Sequence, residues 1–98
     1  MPHYRKRPIT IEAVQFLGCD ENEHGDHMTR FATAAPDWLR DEMEDQTIMP
    51  SGLFSDTLDV MTLTGKLTAK PGDWILKGIE GEIYVCPDSI FTASYDEV

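Results

Sequence analysis

Apolar residues along the chain follow three patterns, and the first of them predicts a strand. Residues 9–16 are rich in β-branched and aromatic side chains, a composition typical of strands. Ile11 and Ala13 fall on one face of this strand. Val14 and Phe16 fall on the other face. Because both faces carry apolar groups, we predict that the strand is central in its sheet.

The second pattern predicts an acidic loop and helices in residues 18–45. The loop comes first and is polar, with many Asp and Glu residues. After it, apolar side chains recur with helical spacing, which predicts a helix over residues 26–34 with Asp26 as its N-terminal cap. Pro36 suits the first turn of a second helix that ends near Asp45.

The third pattern is a meander of short strands over residues 47–95, with turns about eight to ten residues apart. The predicted strands are 47–49, 58–63, 66–69, 74–77, 82–86 and 92–95, with one helical turn at 87–89. We therefore predict an α+β fold in a single domain, residues 1–98. It has a small antiparallel sheet or partly open barrel of five to six strands, with a helical segment packed on one face. The first strand joins the C-terminal strands in this sheet.

Several residues of the meander are predicted to act in turns or in the core. Pro71 and Gly72 predict a type II turn, because proline presets φ at the second turn position and glycine supplies a positive φ at the third. Trp74 opens the next strand, and we expect it to pack in the core rather than to recognise a partner. Gly78 and Gly81 bracket the following hairpin and are expected there for the same backbone reason.

The net charge of the chain reduces the number of partner classes that it is expected to bind. The chain has a formal net charge of −10. Residues 20–45 hold nine acidic residues and two arginines, a net −7. This field repels nucleic acid and anionic membranes, so direct binding to either is not expected, whereas a basic protein is a candidate partner. Solubility alone is the competing explanation. The predicted partner-binding residues lie in the second helix: Asp37, Trp38, Asp41, Glu42, Glu44 and Asp45.

Candidate catalytic and metal-binding residues are few. Cys19, His24 and His27 have the side-chain types that suit zinc, but neither a fourth ligand nor a CxxC or HExxH motif accompanies them. We predict no metal, no cofactor and no enzymatic activity, although the sequence leaves open whether these three residues ever bind metal. Cys86 ends a strand in an apolar run, which predicts a buried, inert thiol.

The N-terminus and the cysteine content predict an intracellular protein. Arg5, Lys6 and Arg7 are not followed by the apolar core of a signal peptide. No stretch approaches the roughly 20 apolar residues of a membrane span. Two distant cysteines are too few for a disulfide framework, so both thiols are expected to be reduced.

Two blocks, residues 4–16 and 71–86, resemble a family of small phage and prophage proteins. Members of that family typically open with YRKKPVVIEAVQW and close with PGDWIIKGVKGEFYPCKPDIFxxTY. With residues 87–95, the blocks cover about two fifths of the chain. Val85 departs from the family pattern, which has proline there, and Pro87 begins a second departure. The resemblance implies a phage origin and a host cytoplasm, and it implies no established activity or site residues.

Three functions remain open at this point. The first is a non-enzymatic phage accessory protein that binds a host or phage protein. The second is a small-molecule sponge for a nucleotide signal used in host defence, although the acidity of the chain argues against an anionic ligand unless Arg5, Lys6 and Arg7 line a local site. The third is an acidic mimic of nucleic acid that occupies a DNA-binding host protein.

Overall fold

Seven strands form two antiparallel sheets in the part of the chain that the structure, a computed structural model, describes, which is residues 2–3, 10–21, 27–52 and 56–97. The elements in chain order are β1 (Glu12–Glu21), β2 (His27–Phe31), α1 (Asp37–Glu44), β3 (Ile48–Pro50), β4 (Leu58–Thr62), β5 (Gly65–Ala69), β6 (Trp74–Lys77), β7 (Ile83–Cys86) and α2 (Asp88–Ser94). One sheet has the order β2-β1-β6-β7 and the other β3-β4-β5. The predicted α+β class is confirmed, and the sheets do not close into a barrel.

The core lies between the two sheets and is closed by α1. Its members are almost completely inaccessible to solvent: Val14, Phe16, Leu39, Ile48, Leu58, Val60, Ala69 and Ile75. Leu76 is also fully buried but lies outside this cluster, since alternation along β6 places it on the face opposite Ile75. Strand β1 is central in its sheet, as predicted, because it pairs with β2 on one side and with β6 on the other.

Two predicted elements are wrong. The helix over residues 26–34 is absent, and residues 27–31 form β2, which pairs with the extended second half of β1. The apolar positions fit helical spacing, yet Met28 is 53% exposed while Phe31 packs against Phe16 with ring centroids 6.1 Å apart. Asp26, the predicted cap, lies outside the described residues.

Of the predicted last strand, residues 92–95, the first three residues are instead part of α2, and Tyr95 is its C-cap with extended backbone. The predicted helical turn after Pro87 continues to Ser94, and the N–H of Tyr95 donates to the Phe91 carbonyl at 2.9 Å. The rings of Phe91 and Tyr95 stack with centroids 5.0 Å apart, and Phe91 in turn stacks on Trp74 at 4.0 Å. Aromatic contacts thus stabilise a helix of only seven residues.

The second predicted helix is confirmed as α1. Pro36 precedes its first residue, and Leu39 is fully buried. The helix ends through a left-handed residue, Gln46, with φ of 62°. The N–H of Thr47 then donates to the carbonyl of Glu42 at 2.9 Å, which is the hydrogen bond of a Schellman motif with glutamine where glycine is usual.

The turn at residues 70–73 attaches β6 to β1. Gly72 has φ of +97°, and the N–H of Asp73 donates to the carbonyl of Lys70 at 2.9 Å, as predicted for a type II turn. The N–H of Phe16 donates to the Asp73 carbonyl at 2.8 Å, and the N–H of Gly72 donates to the Phe16 carbonyl at 2.7 Å. Gln15 adds a third bond, from Nε2 to the Gly72 carbonyl at 3.0 Å.

Of the other residues predicted to act in turns or in the core, Gly81 has the expected backbone conformation and Gly78 and Trp74 differ from expectation. Gly81 has a positive φ of 86°, as predicted, but Gly78 does not. Gly78 is buried under the carboxylate of Glu82, which occupies the space that a Cβ would need. Trp74 is only partly buried and lies outside the main core, and its Nε1–H donates to Oδ1 of Asp88 at 2.8 Å.

Gly18 lies in a β-bulge of β1, and this bulge contacts the segment that leads into β4 of the other sheet. The register between β1 and β2 shifts between Phe16 and Gly18, and Gly18 has φ of +123°. The neighbouring N–H of Cys19 donates to Oδ1 of Asp56 at 2.8 Å. A Cβ on Gly18 would lie only 2.7 Å from this carboxylate oxygen, so the bulge and the contact both require glycine.

We expect Gly18→Ala to lower the free energy of unfolding by about 1–3 kcal/mol, because alanine would be strained at this φ and would displace Asp56. Urea titration followed by circular dichroism measures this. Gly52→Ala is the control, since Gly52 has open space around it and no positive φ. A Gly18→Ala variant as stable as the Gly52→Ala variant would contradict the prediction.

A double-mutant cycle tests the Trp74–Asp88 bond. Trp74→Phe keeps an aromatic ring against Phe91 and removes the Nε1–H donor, and Asp88→Asn weakens the acceptor. We expect a coupling energy of about 0.5–1.5 kcal/mol in urea denaturation. Additive effects of the two substitutions would show that the bond does not contribute to stability.

Candidate functional site

Exposed apolar side chains among the described residues line a groove between elements of the two sheets. We call it the apolar groove. It lies between the β4–β5 hairpin, the β6–β7 hairpin and the end of α1, and has a volume of about 810 Å³. Its lining combines four aliphatic side chains and one tyrosine with three threonines, three glutamates and a glycine: Glu42, Thr47, Met61, Thr62, Leu63, Thr64, Leu67, Glu80, Gly81, Glu82, Ile83 and Tyr84.

Leu63 is the most exposed apolar residue of the groove. It lies in the turn between β4 and β5 with 98% of its surface accessible. The turn is held by the hydroxyl of Thr62, which donates to the carbonyl of Gly65 at 2.6 Å and accepts from the N–H of Thr64 at 3.3 Å. Met61 and Leu67 also line the groove, with 48% and 37% exposure. Their pairing with Lys66 and Val60 places the two side chains on opposite faces of the hairpin. Exposed apolar side chains beside a groove mark a candidate interaction site.

Carboxylates surround the apolar surface on two sides. Glu42 comes from α1, and Glu80 and Glu82 come from the β6–β7 hairpin. The Glu82 carboxylate accepts a hydrogen bond from the N–H of Glu80 at 3.0 Å, which holds it in place. Among the described lining residues none is Lys, Arg or His. The groove therefore favours a partner with positive charge around an apolar segment.

Tyr84 lines the groove from β7, and its phenol is neutral at physiological pH. Burial raises the pKa of Tyr84 to about 12, and a hydrogen bond with the Tyr95 side chain and nearby negative charge add to the increase. Its pairing with Leu76 places the Tyr84 side chain on the face of the sheet turned away from the core, where it contacts Tyr95 of the aromatic stack beside α2.

The structure brings one of the predicted partner-binding residues of α1 to the groove, which is Glu42. Trp38 is partly buried against the core, and its Nε1–H is buried without a hydrogen-bond partner among the described residues. The remaining acids are exposed on the helix: Asp37, Asp41, Glu44 and Asp45. Asp37 pairs with Arg40 at 3.6 Å on the surface.

The candidate zinc ligands cannot be assembled from the described residues. Cys19 is partly buried, His24 lies outside the described residues, and the side chain of His27 does too. Within the described ranges there is no group of three or more His, Cys, Asp or Glu residues placed to hold a metal ion.

Both cysteines are free thiols of low acidity. Burial raises the pKa of Cys19, against a smaller lowering by a hydrogen bond with Thr29, and the carboxylates of Asp56 and Asp20 raise it further. Burial also raises the pKa of Cys86, helped by Asp73. Contrary to the prediction of a buried thiol, Cys86 is only partly buried.

Comparison of the chain with protein-family models, curated proteins and solved structures finds no match. No helix among the described residues is long and apolar enough to span a membrane. The site must therefore be interpreted from its own chemistry.

Of the three carboxylates that line the groove, the sequence predicts only Glu42, and it misses Glu80, Glu82 and the apolar residues. The prediction places Leu63 at the end of a strand, although a leucine between Thr62 and Thr64 in a tight turn is a usable signal. Ile83 and Tyr84 gave no such signal, because their exposure depends on where the second sheet ends.

We expect both thiols to react with iodoacetamide at pH 8 more slowly in the native protein than in urea. A raised pKa leaves a smaller thiolate fraction at a pH below it, and the thiolate is the nucleophile. Mass spectrometry of peptides that contain Cys19 and Cys86 measures each rate. Faster alkylation of either thiol in the native state would contradict the assignment.

Proposed function

We propose that this chain is a non-enzymatic accessory protein that binds another protein through the apolar groove. In keeping with the resemblance of its terminal blocks, we propose that it is encoded by a phage and acts in the host cytoplasm. The observation that supports this function is the exposed apolar surface around Leu63, bordered by carboxylates on two sides.

The energetics of the groove favour a protein partner. Leu63 is almost fully exposed in the free protein, and complete burial by a partner would contribute roughly 1.5–3 kcal/mol. Met61 and Leu67 would contribute less, because only 48% and 37% of their surface remains exposed. An apolar centre with a polar, charged rim is also the usual composition of a protein–protein interface. Solubility alone does not account for a fully exposed leucine in a turn.

Charge selects a basic partner. The three groove carboxylates act together with the net charge of −10, so a basic protein is attracted over long range and then meets carboxylates around the apolar floor. A nucleotide sponge is not favoured at this site, because the phosphates of the ligand would approach Glu42, Glu80 and Glu82.

The proposal is tested with a partner captured from host lysate and then purified. We expect Leu63→Asp to weaken binding to that partner by about tenfold or more, because it places a charge at the apolar centre of the interface. Met28→Asp is the matched control, since Met28 is also an exposed apolar residue but lies on β2, outside the groove. Equal affinities for both variants would place the interface elsewhere.

Association rates with the same partner distinguish the contribution of the groove carboxylates from that of the other acidic residues of α1. Replacing Glu42, Glu80 and Glu82 by Gln should slow association at low salt and have little effect at high salt. A second triple variant removes the same charge from exposed positions of α1: Asp41→Asn, Glu44→Gln and Asp45→Asn. Stopped-flow rates that fall equally in both variants would mean that only total charge matters.

A further inference from the structure

A second concavity lies on the face of the four-stranded sheet that is turned away from the core. We call it the aromatic cleft. Ala13 contributes from β1 and Ile11 from just before it, and α2 with the residues after it forms the wall. The volume is about 660 Å³, within the range of small-molecule sites. Its lining is Thr10, Ile11, Ala13, Trp74, Phe91, Thr92, Ser94, Tyr95, Asp96 and Glu97.

The aromatic wall of the cleft is held in a defined geometry. Trp74 and Phe91 stack with centroids 4.0 Å apart and an interplanar angle of 15°, and Phe91 stacks on Tyr95 at 5.0 Å. Asp88 holds the Trp74 indole through a 2.8 Å hydrogen bond. Tyr95 is fixed in turn by the hydrogen bond that links it to Tyr84. A ligand would therefore meet a wall that is already ordered, which lowers the entropic cost of binding.

The charge of the cleft determines which ligands it accepts. Asp96 and Glu97 contribute carboxylates, and among the described lining residues none is Lys, Arg or His. These two carboxylates disfavour an anion. A neutral apolar molecule would gain contact with the rings but nothing from the carboxylates. A cation with an apolar body gains both apolar contact with the aromatic side chains and attraction to the carboxylates.

We propose that the aromatic cleft binds a small organic cation, an ammonium group carried on a compact apolar body. This site is on a different face from the apolar groove and does not depend on the proposed protein partner. Hydroxyls of Thr10, Thr92 and Ser94 provide positions for a polar group of the same ligand.

The test compares choline with its neutral carbon isostere, 3,3-dimethylbutan-1-ol, by ¹H–¹⁵N NMR titration of the whole chain. We expect choline to shift the Nε1–H signal of Trp74 and to bind about tenfold more tightly than the alcohol, since the two differ only in charge. Trp38 lies outside the cleft lining, so its indole signal is the internal reference. Equal affinities, or shifts at Trp38 and not at Trp74, would overturn the proposal.

Two double variants then distinguish the effect of the cleft carboxylates on choline affinity from the effect of the net charge of the protein. Asp96→Asn with Glu97→Gln should weaken choline binding severalfold while leaving that of the alcohol unchanged. Glu44→Gln with Asp45→Asn removes the same two charges from exposed positions on α1 and should leave both affinities unchanged. An equal loss in the two double variants would mean that choline responds only to the net charge of the protein, and the site assignment would fail.

Discussion

The backbone pairing between Phe16 and the turn at residues 72–73 is the interaction on which the fold depends most. It prolongs the β1–β6 ladder past Trp74, so that the central strand is held on the side opposite β2 for its whole buried length. Phe16 is fully buried there, and its side chain contributes to the core between the sheets. The two terminal blocks of the sequence are thus in direct contact.

This contact explains the identity of several neighbouring residues. Proline and glycine at positions 71 and 72 shape the turn, and Gln15 donates to the Gly72 carbonyl. The Asp88 carboxylate accepts hydrogen bonds from the side chains of Gln15 and Trp74. These bonds attach the start of α2 to the same part of the sheet. Residues that are far apart in sequence are therefore constrained together, because each satisfies a polar group of another.

The sequence was informative wherever structure is decided locally. The 70–73 turn, the strand at 74–77 and α1 all follow from proline, glycine and short-range periodicity. Residues 27–31 were predicted as a helix because their spacing also fits helical periodicity, and only pairing with β1 decides for a strand. The Gly18 bulge, the division into two sheets and the groove depend on contacts between distant segments, such as Cys19 with Asp56. Composition could indicate an acidic site but not its apolar floor.

Among the described residues, the two open sheets leave four strands with an unpaired side: β2, β3, β5 and β7. Such edges can recruit strands from other copies of the chain and so begin aggregation. Strand β7, Ile83–Cys86, is vulnerable because it carries no charge and, unlike the equally uncharged β3, contains no proline. It is kept short by Pro87 at one end and follows Glu82 at the other, and proline and charge both discourage strand addition. The net charge of −10 then acts as mutual repulsion between copies, which allows an unclosed sandwich with an exposed apolar groove to remain dispersed.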